Sequence, residues 1–241
     1  GRGAAGARVA VPAMAVALAA GLLALGALQA KPAHAQIALE TAIVDFNADD
    51  PRRRDVEVTN TGEETLYIEA TPRLVENPGT PEEARREIRN PRDLGLLVSP
   101  RKMVLEPGQR SLMRLSLLQR PGARDRIFRL RVRPRFNEFE SEQSGVRVVV
   151  AYNMLVIARP PDARADLVGA RDGKDLTLRN RGNSNALFVS GEQCAPGGDA
   201  CQDLPTRRMY AGNEWRVTLP YETTEATWTV RTPEGLEERS W

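Results

Sequence analysis

The sequence contains one histidine, His34, which lies in an amino-terminal segment that we predict to be removed on export. Residues 36–241 therefore offer no histidine for general-base catalysis or for zinc binding. They also lack a G-x-S-x-G nucleophile motif and a glycine-rich phosphate-binding loop ahead of a helix. These absences favour a protein with no catalytic residues, no metal and no small-molecule cofactor. A hydrolase that uses paired carboxylates stays open as an alternative, because spacing alone does not exclude one.

The amino-terminal segment has the pattern of an export signal. Arg2 and Arg8 supply positive charge, Val9 to Leu28 is an uncharged, alanine-rich apolar run, and the triplet AHA ends at Ala35. A small-x-small triplet in this place is typical of a cleavage site, so residues 1–35 are predicted to be a cleaved signal peptide. A retained membrane anchor is the alternative, since the apolar run is nearly long enough to span a bilayer.

The sequence also lacks a strong excess of either charge. The predicted signal contains three of the 34 basic residues and none of the 32 acidic ones, so 31 basic residues remain against 32 acidic. A balance of this kind gives no sign of the basic patch that nucleic-acid binding needs, and we expect no nucleic-acid partner.

Cysteine is equally scarce, with only Cys194 and Cys201, which enclose the residues APGGDA. In an exported protein, two cysteines this close in sequence predict a local disulfide. Metal binding is the weaker alternative, because two thiolates without histidine make a poor zinc site.

Short strand-like runs separated by turn residues recur along the chain. Seven of them precede residue 159, which matches the strand number of an immunoglobulin-like sandwich. Pro160 and Pro161 then mark a boundary, because proline cannot donate to a sheet ladder. Five shorter runs follow. We therefore predict an all-β protein with two β-sandwich domains, at 36–159 and 160–241. The seven runs are Ile37–Phe46, Asp55–Asn60, Leu66–Leu74, Leu96–Ser99, Arg110–Leu118, Arg126–Pro134 and Val146–Ala158.

One segment and one strand carry concentrated charge. Pro81–Ile88, charged on most faces, is the one stretch with a helix-like pattern. From Arg129 to Arg135, arginine alternates with apolar residues, which places the arginines on one face of a strand. The simpler interpretation is a solvent-facing row paired to acids on neighbouring strands. The alternative is a docking surface for an acidic partner.

The run from Val146 to Ala158 is apolar on both faces of the predicted strand, with Arg147 and Asn153 as its clearly polar residues. One interpretation is a strand that is buried on both sides. The other is an edge strand that a partner completes by β-augmentation, since a long apolar edge otherwise invites aggregation.

The order of motifs resembles that of the PapD-like periplasmic pilus chaperones. LLVSPRKMVLEPGQRSLMRL (96–115), DRIFRLRVRP (125–134), VVVAYNMLVIARPP (148–161) and LTLRNRGNSNALFVSG (176–191) each resemble a motif of that family. The resemblance covers nearly all of residues 36–241. It implies two immunoglobulin-like domains in an L-shaped arrangement.

The resemblance also implies particular roles. The last strand of the first domain would be lent to an incomplete pilus subunit, and the apolar alternation picks out the same donor side chains. These are Val146, Val148, Val150, Tyr152 and Met154. Arg114 and Asp125 match two residues of the family's interdomain charged cluster, so we predict a charged pair between them. Two cations that bind the subunit's terminal carboxylate in the family are replaced here, at Ala42 and near Leu155.

From these observations we expect a periplasmic chaperone that is not an enzyme. It would bind pilus, fimbrial or coat-like subunits by strand donation and deliver them to an outer-membrane usher. The alternative is a structural or adhesive module that has the same two immunoglobulin-like domains without chaperone activity.

Overall fold

The computed structural model describes residues 36–135 and 150–241, and the predicted signal peptide lies outside them. The described chain is nearly all β and forms two immunoglobulin-like sandwiches, each built from two sheets. Strands between Ile37 and Ala158 form the first sandwich, and strands between Leu167 and Ser240 form the second. Within the described ranges, no helix is long and apolar enough to cross a membrane.

In its described residues, the first sandwich contains ten strands and one short helix. They are β1 (Ile37–Leu39), β2 (Ile43–Phe46), β3 (Arg53–Asn60), β4 (Leu66–Glu76), β5 (Ala84–Arg86), α1 (Pro91–Leu94), β6 (Leu96–Ser99), β7 (Lys102–Leu105), β8 (Arg110–Leu117), β9 (Arg126–Arg135) and β10 (Tyr152–Ala158). Sheet 1 has the order β1-β3-β8-β6. Sheet 2 has the order β2-β10-β9-β4, and β5 and β7 both pair with β4. All pairs are antiparallel except β2 with β10.

The second sandwich contains eight strands. They are β11 (Leu167–Asp172), β12 (Asp175–Asn180), β13 (Ala186–Cys194), β14 (Cys201–Leu204), β15 (Arg207–Met209), β16 (Glu214–Thr218), β17 (Ala226–Thr232) and β18 (Gly235–Ser240). Sheet 3 has the order β11-β12-β16. Sheet 4 has the order β14-β13-β17-β18, and β15 pairs with β13.

The alternation of apolar and charged residues on β9 is confirmed. Leu130 and Val132 are fully buried in the core between sheets 1 and 2. The intervening arginines lie on the outward face of sheet 2, because successive strand residues point to opposite faces. The turn at Gly108 between β7 and β8 is also confirmed, with Gly108 at a φ of 74° that glycine adopts without strain.

Two sequence predictions need correction. The first run, Ile37–Phe46, is not one strand: β1 belongs to sheet 1 and β2 to sheet 2, so the chain crosses between sheets at residues 40–42. Pro81–Ile88 is not helical either. Without an apolar stripe to bury, its residues Ala84–Arg86 pair instead with the carboxyl-terminal end of β4, and an Arg86–Glu76 ion pair of 3.0 Å supports that pairing.

The second sandwich is smaller and has an aromatic core. Phe188 contacts Trp215, Trp228 and Trp241 with ring centroids 5.3 to 5.9 Å apart. Gly191 is required beside Trp228, because a Cβ atom there would lie 2.3 Å from the indole ring. The predicted disulfide joins Cys194 to Cys201 across the β13–β14 hairpin, and both sulfur atoms are thereby used.

Candidate functional site

The carboxyl-terminal half of β10 is enclosed on every side. From Met154 to Ala158, every side chain is buried. Met154 and Val156 face the core of the first sandwich. Leu155 and Ile157 face outward, where Tyr210 of the second sandwich covers them. The sequence interpretation of a strand buried on both sides is thus correct for this half.

The amino-terminal end of β10 is open at one edge. β2 runs beside β10 only from Leu155 onward, where the Leu155 N–H donates to the Ala42 carbonyl at 2.9 Å. Alternate residues of a strand direct their backbone groups to the same edge, so the N–H and C=O of Asn153 point past the start of β2. No strand among residues 36–135 and 150–241 pairs with this edge before Leu155. We call the stretch from Val150 to Asn153 the free edge.

The predicted donor side chains lie in three different environments. Val150 is 42% exposed at the free edge, close to the start of the described second range. Tyr152 is half-buried, and its hydroxyl donates to the Ile37 carbonyl at 2.9 Å. Met154 is fully buried in the core of its own sandwich, so its side chain is not available to a partner in this conformation. The other two, Val146 and Val148, lie outside the described residues.

Four arginines line a cleft beside the free edge. Arg73 on β4, Arg85 on β5, and Arg129 and Arg131 on β9 contribute their side chains, and residues 151–153 complete the wall. The cavity has a volume of about 240 Å³. We call these residues the arginine cleft.

The arginine row on β9 divides into a paired half and an unpaired half. Arg133 and Arg135 both bind Glu69, at 3.1 and 2.9 Å, and these bonds hold the pKa of the Glu69 carboxyl below its usual value. Arg129 donates to the Asn153 carbonyl at 3.3 Å and forms no ion pair with an acid among the described residues. The Arg131 guanidinium makes no hydrogen bond or ion pair with any residue that the structure describes. The simpler sequence interpretation therefore holds for only half of the row.

A polar network joins the two sandwiches where β10 ends. Arg159 is 8% exposed and binds Asp45 through two hydrogen bonds of 2.8 and 2.6 Å. Its guanidinium also donates to the Ser184 hydroxyl at 2.6 Å, and Ser184 donates to Asp125 at 2.8 Å. Asp125 accepts two further bonds from Asn185, from its backbone N–H and from its side-chain amide. The chain from Asp45 to Asn185 thus links β2, the end of β10 and the second sandwich.

The predicted pair between Arg114 and Asp125 is not formed in the structure. Arg114 lies on the exposed face of sheet 1 and binds Asp55 through two bonds of 2.7 and 2.8 Å. Asp125 lies at the junction, as expected, but the arginine near it is Arg159. Burial raises the pKa of the Asp125 carboxyl, against the lowering effects of its bonds to Asn185 and Ser184 and of the Arg159 charge. The motif order did not single out Arg159 because its role depends on the contact between sandwiches.

The two positions at which the sequence departs from the pilus chaperones lie side by side. Ala42 and Leu155 share the backbone hydrogen bond at the start of the β2–β10 pairing. The Leu155 side chain is buried in an apolar cluster that Tyr210 covers. A lysine at 155 would place an ammonium group in that cluster, at a high desolvation cost. Neither position provides a cation for a carboxylate.

A deep acidic cleft would favour the hydrolase alternative. Glu192, Asp203, Glu225 and Glu238 border an open hollow of about 490 Å³ on the second sandwich. All four of these side chains are exposed. Four solvated carboxylates around an open hollow do not form the deep acidic cleft that this alternative needs.

No protein-family model matches the chain. Among curated proteins, it is 27% identical over 136 residues to a protein of the CS1 fimbriae of Escherichia coli, described as a fimbrial subunit, and the alignment covers 53% of this chain and 56% of that protein. The chain thus spans about half the length of the curated relatives it matches.

Solved structures match over a larger part of the chain. The crystal structure of the class 5 fimbriae chaperone CfaA has a TM-score of 0.63 and 19% identity, and the match covers 85% of this chain and 98% of that chain. A chain in the complex of the Salmonella enterica SafA pilin with the SafB chaperone has a TM-score of 0.61 and 15% identity, over 86% of this chain and 96% of that chain.

These similarities define a class: the two-sandwich architecture is the fold of the PapD-like fimbrial chaperones. The resemblance found in the sequence motifs is confirmed at the level of the fold.

Proposed function

We propose that this protein is a periplasmic chaperone that pairs a fimbrial or coat-like subunit with the free edge of β10. The observation that carries the proposal is the backbone of Asn153, next to the exposed apolar side chains of Val150 and Ile43. Its outward edge has no partner strand among the described residues, and its carbonyl accepts only from the Arg129 side chain. Val150 and Ile43 are 42% and 45% exposed. An extended segment with apolar side chains would gain main-chain hydrogen bonds at this edge and bury both side chains.

Three further observations support the proposal. The buried half of β10 holds the strand in place, so the open end is presented on a rigid support. The predicted export signal would carry the chain to the compartment where fimbrial subunits are assembled. The fold is shared with fimbrial chaperones, one of which was solved in complex with a pilin. Handing the subunit to an outer-membrane usher is the final part of the proposal, and the protein performs none of these steps by catalysis.

The backbone of the free edge can be tested with two variants of one residue. Asn153→Pro removes the N–H that points to the open edge and leaves the pairing of β10 with β9 intact, since proline is tolerated at a solvent-facing edge. Asn153→Ala keeps that N–H. We expect co-export with a fimbrial subunit from the same genome to give a soluble one-to-one complex with the wild type and with Asn153→Ala. The proline variant should give no complex.

The side chains of the donated strand provide a second test. Val148→Asp and Val150→Asp should each abolish the complex, because a charged group would enter the apolar groove of the subunit. Circular dichroism should show that Val150→Asp is folded. A complex that forms equally well with the proline and the aspartate variants would contradict strand donation. A wild-type protein that forms no complex would favour the structural or adhesive module instead.

A further inference from the structure

We propose that the arginine cleft binds carboxylate groups of the subunit segment that lies along the free edge. The inference rests on the proposed function and gives the partner a chemistry: the bound segment is acidic at the point where it passes Asn153. The cleft would then fix the register of that segment, in addition to the main-chain pairing.

The cleft and the free edge are physically continuous. Ala151, Tyr152 and Asn153 belong to both, and the Arg129 guanidinium donates to the Asn153 carbonyl at 3.3 Å. Arg129 and Arg131 stand opposite Leu155 and Asn153 on the neighbouring strand β9. Any chain that pairs with the free edge therefore runs within side-chain reach of these two guanidinium groups.

The charges of the cleft do not balance among the described residues. Arg85 binds Glu83 at 3.0 Å, and Arg73 lies 3.6 Å from Glu87. Glu83 also accepts a bond from the Gly79 N–H, which with Arg85 holds its pKa low, so it stays ionised at neutral pH. Arg129 and Arg131 form no ion pair of this kind. Four cationic side chains thus line the cleft, and two glutamates outside its lining pair with two of them.

The same strand provides an internal comparison. Glu69 binds both Arg133 and Arg135, one and two alternations further along β9. If the arginines of β9 were only solvated surface groups, we would expect no difference in ion pairing between the two halves of the row. The unpaired half is the one that adjoins the open edge, which is where an incoming acid would take the place of Glu69.

The size and geometry of the cleft select the kind of anion. At about 240 Å³ it is smaller than the roughly 300–1,000 Å³ of small-molecule sites, so it fits one or two carboxylate side chains better than a cofactor. Planar guanidinium groups bind carboxylates through two parallel hydrogen bonds. The carboxylates come from aspartate or glutamate side chains of the paired segment.

The test compares equal charge changes on the two halves of β9. The double variant Arg129→Gln, Arg131→Gln removes the unpaired cations, and the control Arg133→Gln, Arg135→Gln removes the paired ones on the same face. Each is used to displace tagged wild-type protein from its purified complex with the subunit. We expect the double variant to bind about tenfold more weakly than wild type at low salt, with the difference shrinking at high salt, and the control within about twofold.

Two subunit variants distinguish the sources of the carboxylate. If extending the subunit's carboxyl terminus abolishes the difference between wild type and the double variant, the terminal carboxylate is the ligand and the inference is overturned. If changing aspartate and glutamate to amides in the paired segment abolishes it, side chains are the ligand. Equal displacement by wild type and the double variant overturns the inference, while loss of the complex in Asn153→Pro would still support strand pairing. A wild type that forms no complex overturns both.

Discussion

The two halves of β10 differ in almost every physical property, although both are apolar in sequence. From Met154 to Ala158, the strand is buried on both faces and paired along both edges. Val150 and Ala151, which precede β10, and its first residues, Tyr152 and Asn153, are exposed or half-buried. Among the described strands, only β9 pairs with Tyr152 and Asn153. One continuous apolar run thus supplies an anchor and, ahead of it, a surface that can accept another strand.

The difference teaches how a chain can keep an apolar edge without exposing a whole strand. An unpaired apolar strand is an aggregation hazard, and the hazard grows with its length. Here β2 covers β10 from Leu155 onward, and Tyr210 of the second sandwich covers its outward face. Only the part that a partner would need is left open.

The largest expected effect is a difference in the free energy of unfolding between two variants, one in each half of the run. Val156→Asp places a carboxylate in the core of the first sandwich and should lower the free energy of unfolding by about 4 kcal/mol or more. Val150→Asp lies at an exposed position and should change it by less than about 0.5 kcal/mol. Urea denaturation followed by circular dichroism measures both. If Val156→Asp does not fold, Val156→Ala should still cost about 2 kcal/mol. Similar losses at positions 150 and 156 would contradict the division.

The next effect concerns the network that ties the buried half to the second sandwich. Arg159→Gln removes the cation that binds Asp45 and lies next to Asp125, and we expect a loss of about 2–3 kcal/mol in unfolding free energy, measured by urea denaturation. The control is Arg114→Gln, which breaks the pair with Asp55 and should cost far less, because that pair is exposed and screened by water. A larger loss for the Arg114 variant than for the Arg159 variant would contradict the assignment of the stabilising network to Arg159.

The structure could be predicted from the sequence where it depends on the spacing of side chains along a short segment. The alternation on β9, the local disulfide and the two-sandwich order all follow from spacing within short segments. The sequence was insufficient where distant elements meet. Nothing in the sequence distinguishes the role of Arg159 from that of Arg114. In the structure, the contact of Arg159 with Ser184 of the second sandwich does so. The unpaired charge of the arginine cleft likewise depends on which acids the neighbouring strands bring close.

A smaller effect lies at the boundary between the two halves. Tyr152 ties β10 to β1 in the opposite sheet through its bond to the Ile37 carbonyl. Tyr152→Phe leaves that carbonyl without the hydroxyl donor and should lower the free energy of unfolding by about 1 kcal/mol. The matched control is Tyr67→Phe on the exposed end of β4, which should change stability by no more than a few tenths of a kcal/mol. Equal effects at the two tyrosines would show that this bond does not anchor the strand.

The smallest expected effect is a change in the pH dependence of stability at the junction. Burial raises the pKa of Asp125 in the folded protein above its ordinary value of 3.8, so the folded state holds the proton more tightly than the unfolded state. The unfolding free energy of the wild type relative to Asp125→Asn should therefore fall as the pH rises from about 3.8 through the raised pKa, and level off beyond it.

Asp55 provides a control of opposite sign for this measurement. Its hydrogen bonds with Arg114 hold the pKa of the Asp55 carboxyl below 3.8, so the folded state loses that proton more readily than the unfolded state. The stability of the wild type relative to Asp55→Asn should rise with pH as the pH passes from the lowered pKa up to about 3.8. Urea denaturation between pH 3 and pH 7 compares the two differences. If the Asp125 difference also rose with pH, the bonds from Ser184 and Asn185 together with the charge of Arg159 would outweigh burial, and the junction would act as an ion pair rather than as a buried acid.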